Sequence, residues 1–193
     1  MDKEKEYNPS LEFDAFTAGV EDGGIRSSST VAMIVCYIVS SLEEKITAKI
    51  IVDALVDGKL ANYFEVTNAV SKMIKNGNLI EDENGILTAT PKCKFAIEIV
   101  ENDLPLSVRE KSVELVKKLA ALEVNKKENK VSIAAENNGY KVTLHVSDVD
   151  SDFMTLSLYV PTEAQAEVIK NKFLINPAKV YENLIESIFD NEE

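Results

Sequence analysis

The chain has 193 residues, with 33 acidic against 21 basic side chains, a net charge of −12, and ordinary hydrophobic (45%) and charged (28%) fractions. That length admits one large domain or two small ones, and the acidity argues against tight non-specific nucleic-acid binding, in which Lys and Arg neutralise phosphate. The longest apolar run, residues 31–39, is far short of the roughly 18 residues of a membrane span. The start MDKEKEYNPS lacks the basic patch and apolar core of a signal peptide, so a cytoplasmic protein with no membrane attachment is expected.

Residues 1–26 mix charge with isolated aromatics (Tyr7, Phe13, Phe16) and end in Asp22-Gly23-Gly24. No period is visible, which reads as a mobile arm. Ser28, Ser29 or Thr30 then offers a cap for a helix to about Leu42, apolar nearly all round through Met33, Ile34, Val35, Cys36, Tyr37, Ile38 and Val39. Such a helix is central and buried on several sides. Thr47 caps a short second helix with Ile50, Ile51, Ala54 and Leu55, which Gly58 ends.

Asn62 opens a third helix, with Glu65 at capping-box distance. Val66, Ala69, Val70, Met73 and Ile74 form one buried stripe, and at roughly 100° per residue Thr67, Asn68, Ser71, Lys72 and Lys75 gather opposite. Asn76-Gly77 supplies a left-handed exit. Leu79-Ile80 and Ile86-Leu87 follow, divided by Glu83-Asn84-Gly85, where Asn-Gly favours a hairpin turn. Helices followed at once by a small hairpin predict a winged helix-turn-helix over residues 27–103.

Thr90-Pro91 starts a further helix with Phe95, Ala96, Ile99 and Val100 in its stripe. Ser107 and Glu110 have capping-box spacing and open a long helix carrying Val108, Val113, Leu115, Val116, Leu119 and Leu122, a spine between the halves. From Lys130 the period becomes two: Val131-Ile133-Ala135, Tyr140-Val142-Leu144-Val146 and Met154-Leu156-Leu158-Val160 read as strands with one covered face. Asn137-Asn138-Gly139 is the first turn, and the acidic loop 148–152 the second, solvated rather than calcium-binding. Thr162 with Gln165, and Asn176-Pro177, start two last helices. The fold class is thus α+β, with residues 104–193 forming a spine helix plus a small antiparallel three-stranded sheet covered by carboxy-terminal helices.

Several of these stretches are characteristic together: Gly24-Ile25-Arg26-Ser27, residues 34–38, Asn62-Tyr63-Phe64-Glu65, Leu104-Pro105-Leu106-Ser107-Val108-Arg109-Glu110-Lys111, and residues 161–181. With them the chain resembles a Gram-positive bacterial domain-of-unknown-function family that has an amino-terminal winged helix. The resemblance spans residues 24–188 and implies that fold and a role in transcription. It names no effector and no operator.

A DNA-binding reading places Thr67, Asn68, Ser71, Lys72 and Lys75 in a major groove, with Lys49 adding a phosphate contact. Lys45 and Lys59 are further candidates for backbone contacts. Residues 27–100 hold nine acidic and seven basic side chains, none of them Arg, so the reader is near neutral. Glu81, Asp82 and Glu83 crowd the hairpin tip, where a reader of DNA normally carries Lys or Arg. The alternative is therefore a protein-protein interaction module, adaptor or dimerisation unit, for which Phe64, on the polar side of its helix, would be a contact. A homodimer is expected in the first case, since two-fold regulators match palindromic sites. Enzymatic activity is not expected, nor is a cofactor or metal. His145 alternates with apolar residues on a strand and reads as a lone surface imidazole. Cys36 falls inside the apolar run and reads as a buried thiol, and with Cys93 far away in sequence a disulfide is not expected.

Overall fold

The structure, a computed structural model, describes residues 20, 24, 25, 27–147 and 151–190. The expected arm, with Tyr7, Phe13 and Phe16, lies outside the described residues except for Val20, Gly24 and Ile25, and the acidic loop does so at residues 148–150. Two compact units, residues 1–120 and 121–193, divide the chain. Among the described residues no helix is long and apolar enough to cross a membrane.

The first unit orders helices α1 (Ser28–Ser41), α2 (Ala48–Asp57) and α3 (Tyr63–Lys75) before the strands β1 (Leu79–Glu81) and β2 (Leu87–Ala89). Helix α4 (Pro91–Val100) and a 3-10 turn (Glu101–Asp103) then lead into α5 (Leu106–Glu128). Helix α1 is central, as its all-round apolarity predicts: Val31, Ile34, Val35, Ile38 and Val39 are buried, and it packs on α3, α4 and β2. Its start differs from expectation. The cap position is Ser27, whose side chain makes no capping bond; its hydroxyl meets that of Ser29 instead, at 2.7 Å.

Helix α2 is capped by Thr47, whose hydroxyl accepts from Ile50 N–H at 3.3 Å. Gly58 ends it for a reason the sequence does not display. Its φ is an ordinary −74°, and the left-handed residue is Lys59, at φ 53°. Gly58 is needed for space: a Cβ there would come within 2.3 Å of Leu115 Cδ1 on α5 and 2.9 Å of the Ala54 carbonyl. Helix α3 has its expected cap, Asn62 Oδ1 accepting from Phe64 N–H at 2.9 Å, and its left-handed exit at Gly77, φ 69°. Glu65, however, takes a hydrogen bond from Ser28 Oγ at 2.5 Å, so it ties the start of α3 to the start of α1.

The hairpin pairs Leu79 with Ala89, Ile80 with Thr88 and Glu81 with Leu87. Beside it runs a third strand-like element too short for any period to reveal: Thr47 bridges Ile86, and Leu87 N–H donates to Ile46 C=O at 2.8 Å. Thr90 caps α4 through Cys93 N–H while its hydroxyl reaches the carbonyls of Gly77 and Asn78. Lys92 Nζ covers the Asn76 carbonyl at the end of α3. Helix α5 begins at Leu106, so Ser107 sits inside its first turn rather than capping it. Its amino-terminal part belongs to the first core, where Val108, Val116 and Ala120 are buried with Val113, Leu115 and Leu119 against them. Arg109 there lays its guanidinium 5.6 Å from the Tyr37 ring centroid. Cys36 and Cys93 are free and buried; Cys36 Sγ donates to Met73 Sδ at 3.5 Å, and the neighbouring Cys93 thiol together with burial pushes the Cys36 thiol far up from its ordinary range.

The second unit is an antiparallel sheet of order β3 (Val131–Glu136), β4 (Gly139–Ser147) and β5 (Asp152–Val160), followed by α6 (Glu163–Ile175) and α7 (Pro177–Phe189). Alternation works as read: Val142, Leu144, Val146 and Met154 are buried with Ala166, Phe173 and Leu174 of α6, and Val180 and Tyr181 of α7 pack against them. Thr162 caps α6 through Gln165 N–H, and Asn176 caps α7 through Lys179 N–H. The opposite sheet face carries the hydroxyl pair Thr143–Ser157 at 3.1 Å. His145 lies on that face, but it is no lone imidazole. Its Nδ1 is 2.6 Å from Asp152 Oδ2, and Ser147 Oγ donates to Asp152 Oδ1 at 2.5 Å.

Two outcomes follow from these contacts. Gly58→Ala must displace Leu115, so urea unfolding is expected to show a loss of about 1–3 kcal/mol, the usual cost of overpacking. An unchanged midpoint would remove the steric account of that glycine. The Ser147 hydroxyl, then His145, hold the Asp152 carboxyl below its ordinary 3.8. A depressed folded value means the stabilisation is present above that ordinary value and fades as pH falls through the lower one. Asp152→Asn should therefore flatten the acid side of the melting-temperature profile below about pH 4, whereas an identical profile would contradict the assignment.

Candidate nucleic-acid interface

The surface singled out by the sequence is set by how α3 sits on its neighbours. Val66, Ala69 and Val70 are buried against α1 and α2, which fixes the rotation of the helix. At roughly 100° per residue, Phe64, Asn68, Ser71 and Lys75 then form one outward row, and Thr67 and Lys72 flank it. All six are exposed. The helix carries Glu65 in its first turn and Lys72 and Lys75 in its last, each favourable to its dipole. Among the described residues no carboxylate pairs with Lys72 or Lys75, so both ammonium groups face solvent.

Lys49 stands apart from this row. It lies in the first turn of α2, and its ammonium forms an i,i+4 ion pair with Asp53 on the same helix. The structure thus brings together the five residues of α3 and leaves Lys49 partly neutralised on another element. Exposed pairs of this kind are weak, about 0–1 kcal/mol, so phosphate would still compete for Lys49.

Phe64 enlarges the site at its amino-terminal end. It is 75% exposed, and Tyr63, 53% exposed, meets it edge to face with centroids 5.6 Å apart. The Asn62 cap holds this aromatic pair at the mouth of the helix. A Phe beside Asn and Thr offers both an apolar contact for a thymine methyl and amide edges for adenine. The same pair is equally able to anchor a protein surface.

The hairpin tip looks different once its bonds are known. Asp82 Oδ1 accepts from Asn84 N–H at 2.9 Å and Ile86 N–H at 2.8 Å, and Gly85 takes φ 76°. Asp82 is thus the residue that shapes the turn, and Glu81 and Glu83 are exposed carboxylates on either side of it. Ile80, 59% exposed on β1, is the apolar side chain nearest to them in sequence. No pattern in the sequence separates a turn-forming Asp from two solvated Glu neighbours; only its position three residues before Gly85 hints at it.

Asp82→Ala is expected to speed amide exchange at Asn84 and Ile86 and to cost about 1 kcal/mol, the scale of one net hydrogen bond, with α3 unaffected. Unaltered exchange at both amides would mean the turn closes without the carboxylate.

Residues 31–188 match the model of a family described as a domain of unknown function (DUF4364). No curated protein and no solved structure gives a match.

Proposed function

The chain belongs to the domain-of-unknown-function family DUF4364, and we propose that it is a transcriptional regulator that reads DNA through α3 of a winged-helix first unit, acting as a dimer. The observation that carries this reading is the outward row of α3, exposed along its whole length and composed of residues suited to a major groove. The order of three helices and a hairpin, with Ile46 and Thr47 bridged to the second hairpin strand, supports the winged-helix assignment.

In this reading Asn68 and Thr67 contact base edges, Phe64 meets thymine methyls, and Lys72 and Lys75 contact phosphate or guanine. Lys49 contributes a backbone contact from α2. The hairpin is a scaffold element, because Glu81 and Glu83 would repel phosphate. Binding then rests on few cations, so it is weak at moderate salt, and its salt slope is set by the few phosphates that Lys72, Lys75 and Lys49 neutralise. The chain acts by binding rather than by catalysis, in the cytoplasm.

A second reading is favoured by one observation. Tyr63 and Phe64 form an exposed aromatic pair, and with an acidic hairpin this suits a winged helix that docks a protein and not DNA. The two readings part in one experiment. The purified full chain is incubated with sheared genomic fragments at low and moderate salt, beside Lys72→Glu/Lys75→Glu. DNA reading predicts selective enrichment at low salt that the double variant abolishes. Once a site is known, Lys72→Ala should reduce the salt slope by about one phosphate, while Asn68→Ala should cost about 1–3 kcal/mol at one base position. No enrichment at low salt would rule out the DNA reading and leave the protein-docking one.

A further inference from the structure

The outer edge of β5 is built differently from an edge meant to face water. His145 N–H donates to Lys130 C=O at 2.9 Å, and Ser147 N–H points to Asn129 Oδ1 at 3.4 Å. These positions of β4 therefore face β3, and by alternation Tyr140, Val142, Leu144 and Val146 face β5. The register pairs them with Val160, Leu158, Leu156 and Met154. Thr155, Ser157 and Tyr159 are left with N–H and C=O directed outward, and among the described residues no strand pairs with that edge. From Phe153 to Val160 it contains no charge and no proline, two of the devices by which exposed edges are blunted.

The stretch is also symmetric in kind about Ser157. Leu156 and Leu158 flank it, then Thr155 and Tyr159, then Met154 and Val160. A two-fold axis through Ser157 would place Ser157 against itself and Thr155 against Tyr159 of the partner subunit, as mutually hydrogen-bonded pairs. On the helix-covered side it would set Leu156 against Leu158 of the partner subunit, and Met154 against the partner's Val160. Leu158, 37% exposed in the single chain, would be covered.

A third observation fits the same register. A hollow of about 420 Å³ lined by Val160, Pro161, Ala164, Gln165, Val168 and Ile169 lies at the carboxy-terminal end of β5. The bulge opposite Ser147 turns Phe153 out of the alternation, so that its ring meets Tyr181 of α7 edge to face at 5.2 Å while remaining 51% exposed. In the two-fold pairing, Phe153 of the partner subunit comes opposite Pro161, beside this hollow. An exposed aromatic and an apolar recess are thereby matched at both ends of the strand.

We propose that two copies of the chain pair antiparallel through β5 about Ser157, forming one continuous sheet with the helices of both copies on the same side. The pairing gives the dimer of the preceding section a specific surface, but it stands on the second unit alone and holds whether or not α3 reads DNA.

Sedimentation of the full chain across a micromolar concentration series tests it. A dimer is expected, and Ser157→Pro, which removes an outward donor, should be monomeric with an unchanged far-ultraviolet dichroism spectrum. Leu158→Lys charges the edge without touching its backbone and should also be monomeric, which decides the matter if the proline variant unfolds. Directly opposed residues of a hydrogen-bonded pair have Cα atoms about 5.5 Å apart. Ser157→Cys should therefore cross-link under mild oxidation, whereas Thr155→Cys should not. A chain that is monomeric throughout, or a dimer that Leu158→Lys leaves intact, overturns the proposal.

Discussion

Burial of α1 on nearly all sides is the constraint from which the first unit follows. Val31, Ile34, Val35 and Ile38 are at most 1% exposed, and each such side chain contributes about 1.5–3 kcal/mol on leaving water. A helix with no polar side must be covered by several elements, and α3, α4 and β2 supply that cover. Once the inner stripe of α3 is spent on this packing, its outer row has no freedom to turn inward. The surface available for recognition is therefore a consequence of the core. Ser28 and Glu65 fix the same relation at the helix starts, and Lys92 and Thr90 fix it at the exit of α3.

The second unit solves a different problem. Its sheet has one face covered by α6 and α7 and the other faced with Thr143, His145, Ser157 and Tyr159. Among the described residues both outer strands are edges, yet they differ in chemistry. Strand β3 is short and ends in Glu136, whereas β5 runs nine residues and is uncharged after Asp152. The Ser147–Asp152–His145 cluster holds the start of β5 at its bulge, which aims Phe153 away from the regular run.

Much of the architecture was legible because it rests on local chemistry. Asn62, Thr90, Thr162 and Asn176 announce helix starts, Gly77 and Gly85 announce left-handed turns, and the period-two runs announce the strands. What escaped the sequence depends on contacts between distant segments. Ile46 and Thr47 are too few residues to show a strand period, so their bridge to the hairpin was hidden. Gly58 reads as a helix terminator, while its real necessity is the approach of Leu115. Cys36 and Cys93 meet only because α1 and α4 pack together, and Lys49 is matched by Asp53 one turn on. For the candidate site, the shared face of Thr67, Asn68, Ser71, Lys72 and Lys75 was readable from helical spacing. The part played by Asp82 was not, since a carboxylate binding backbone N–H groups is indistinguishable in sequence from one in water.

The central claim is that the outer row of α3, and not the hairpin tip, touches DNA. Photo-cross-linking addresses it directly, because Phe64 is exposed and accepts a benzoylphenylalanine with little change in shape. The full chain carrying that residue at position 64, and separately at position 83, would be irradiated with genomic duplex fragments at low salt. The account predicts covalent protein–DNA adducts from position 64 and none from position 83. Adducts from position 83 alone, or adducts from position 64 to protein and never to DNA, would contradict it.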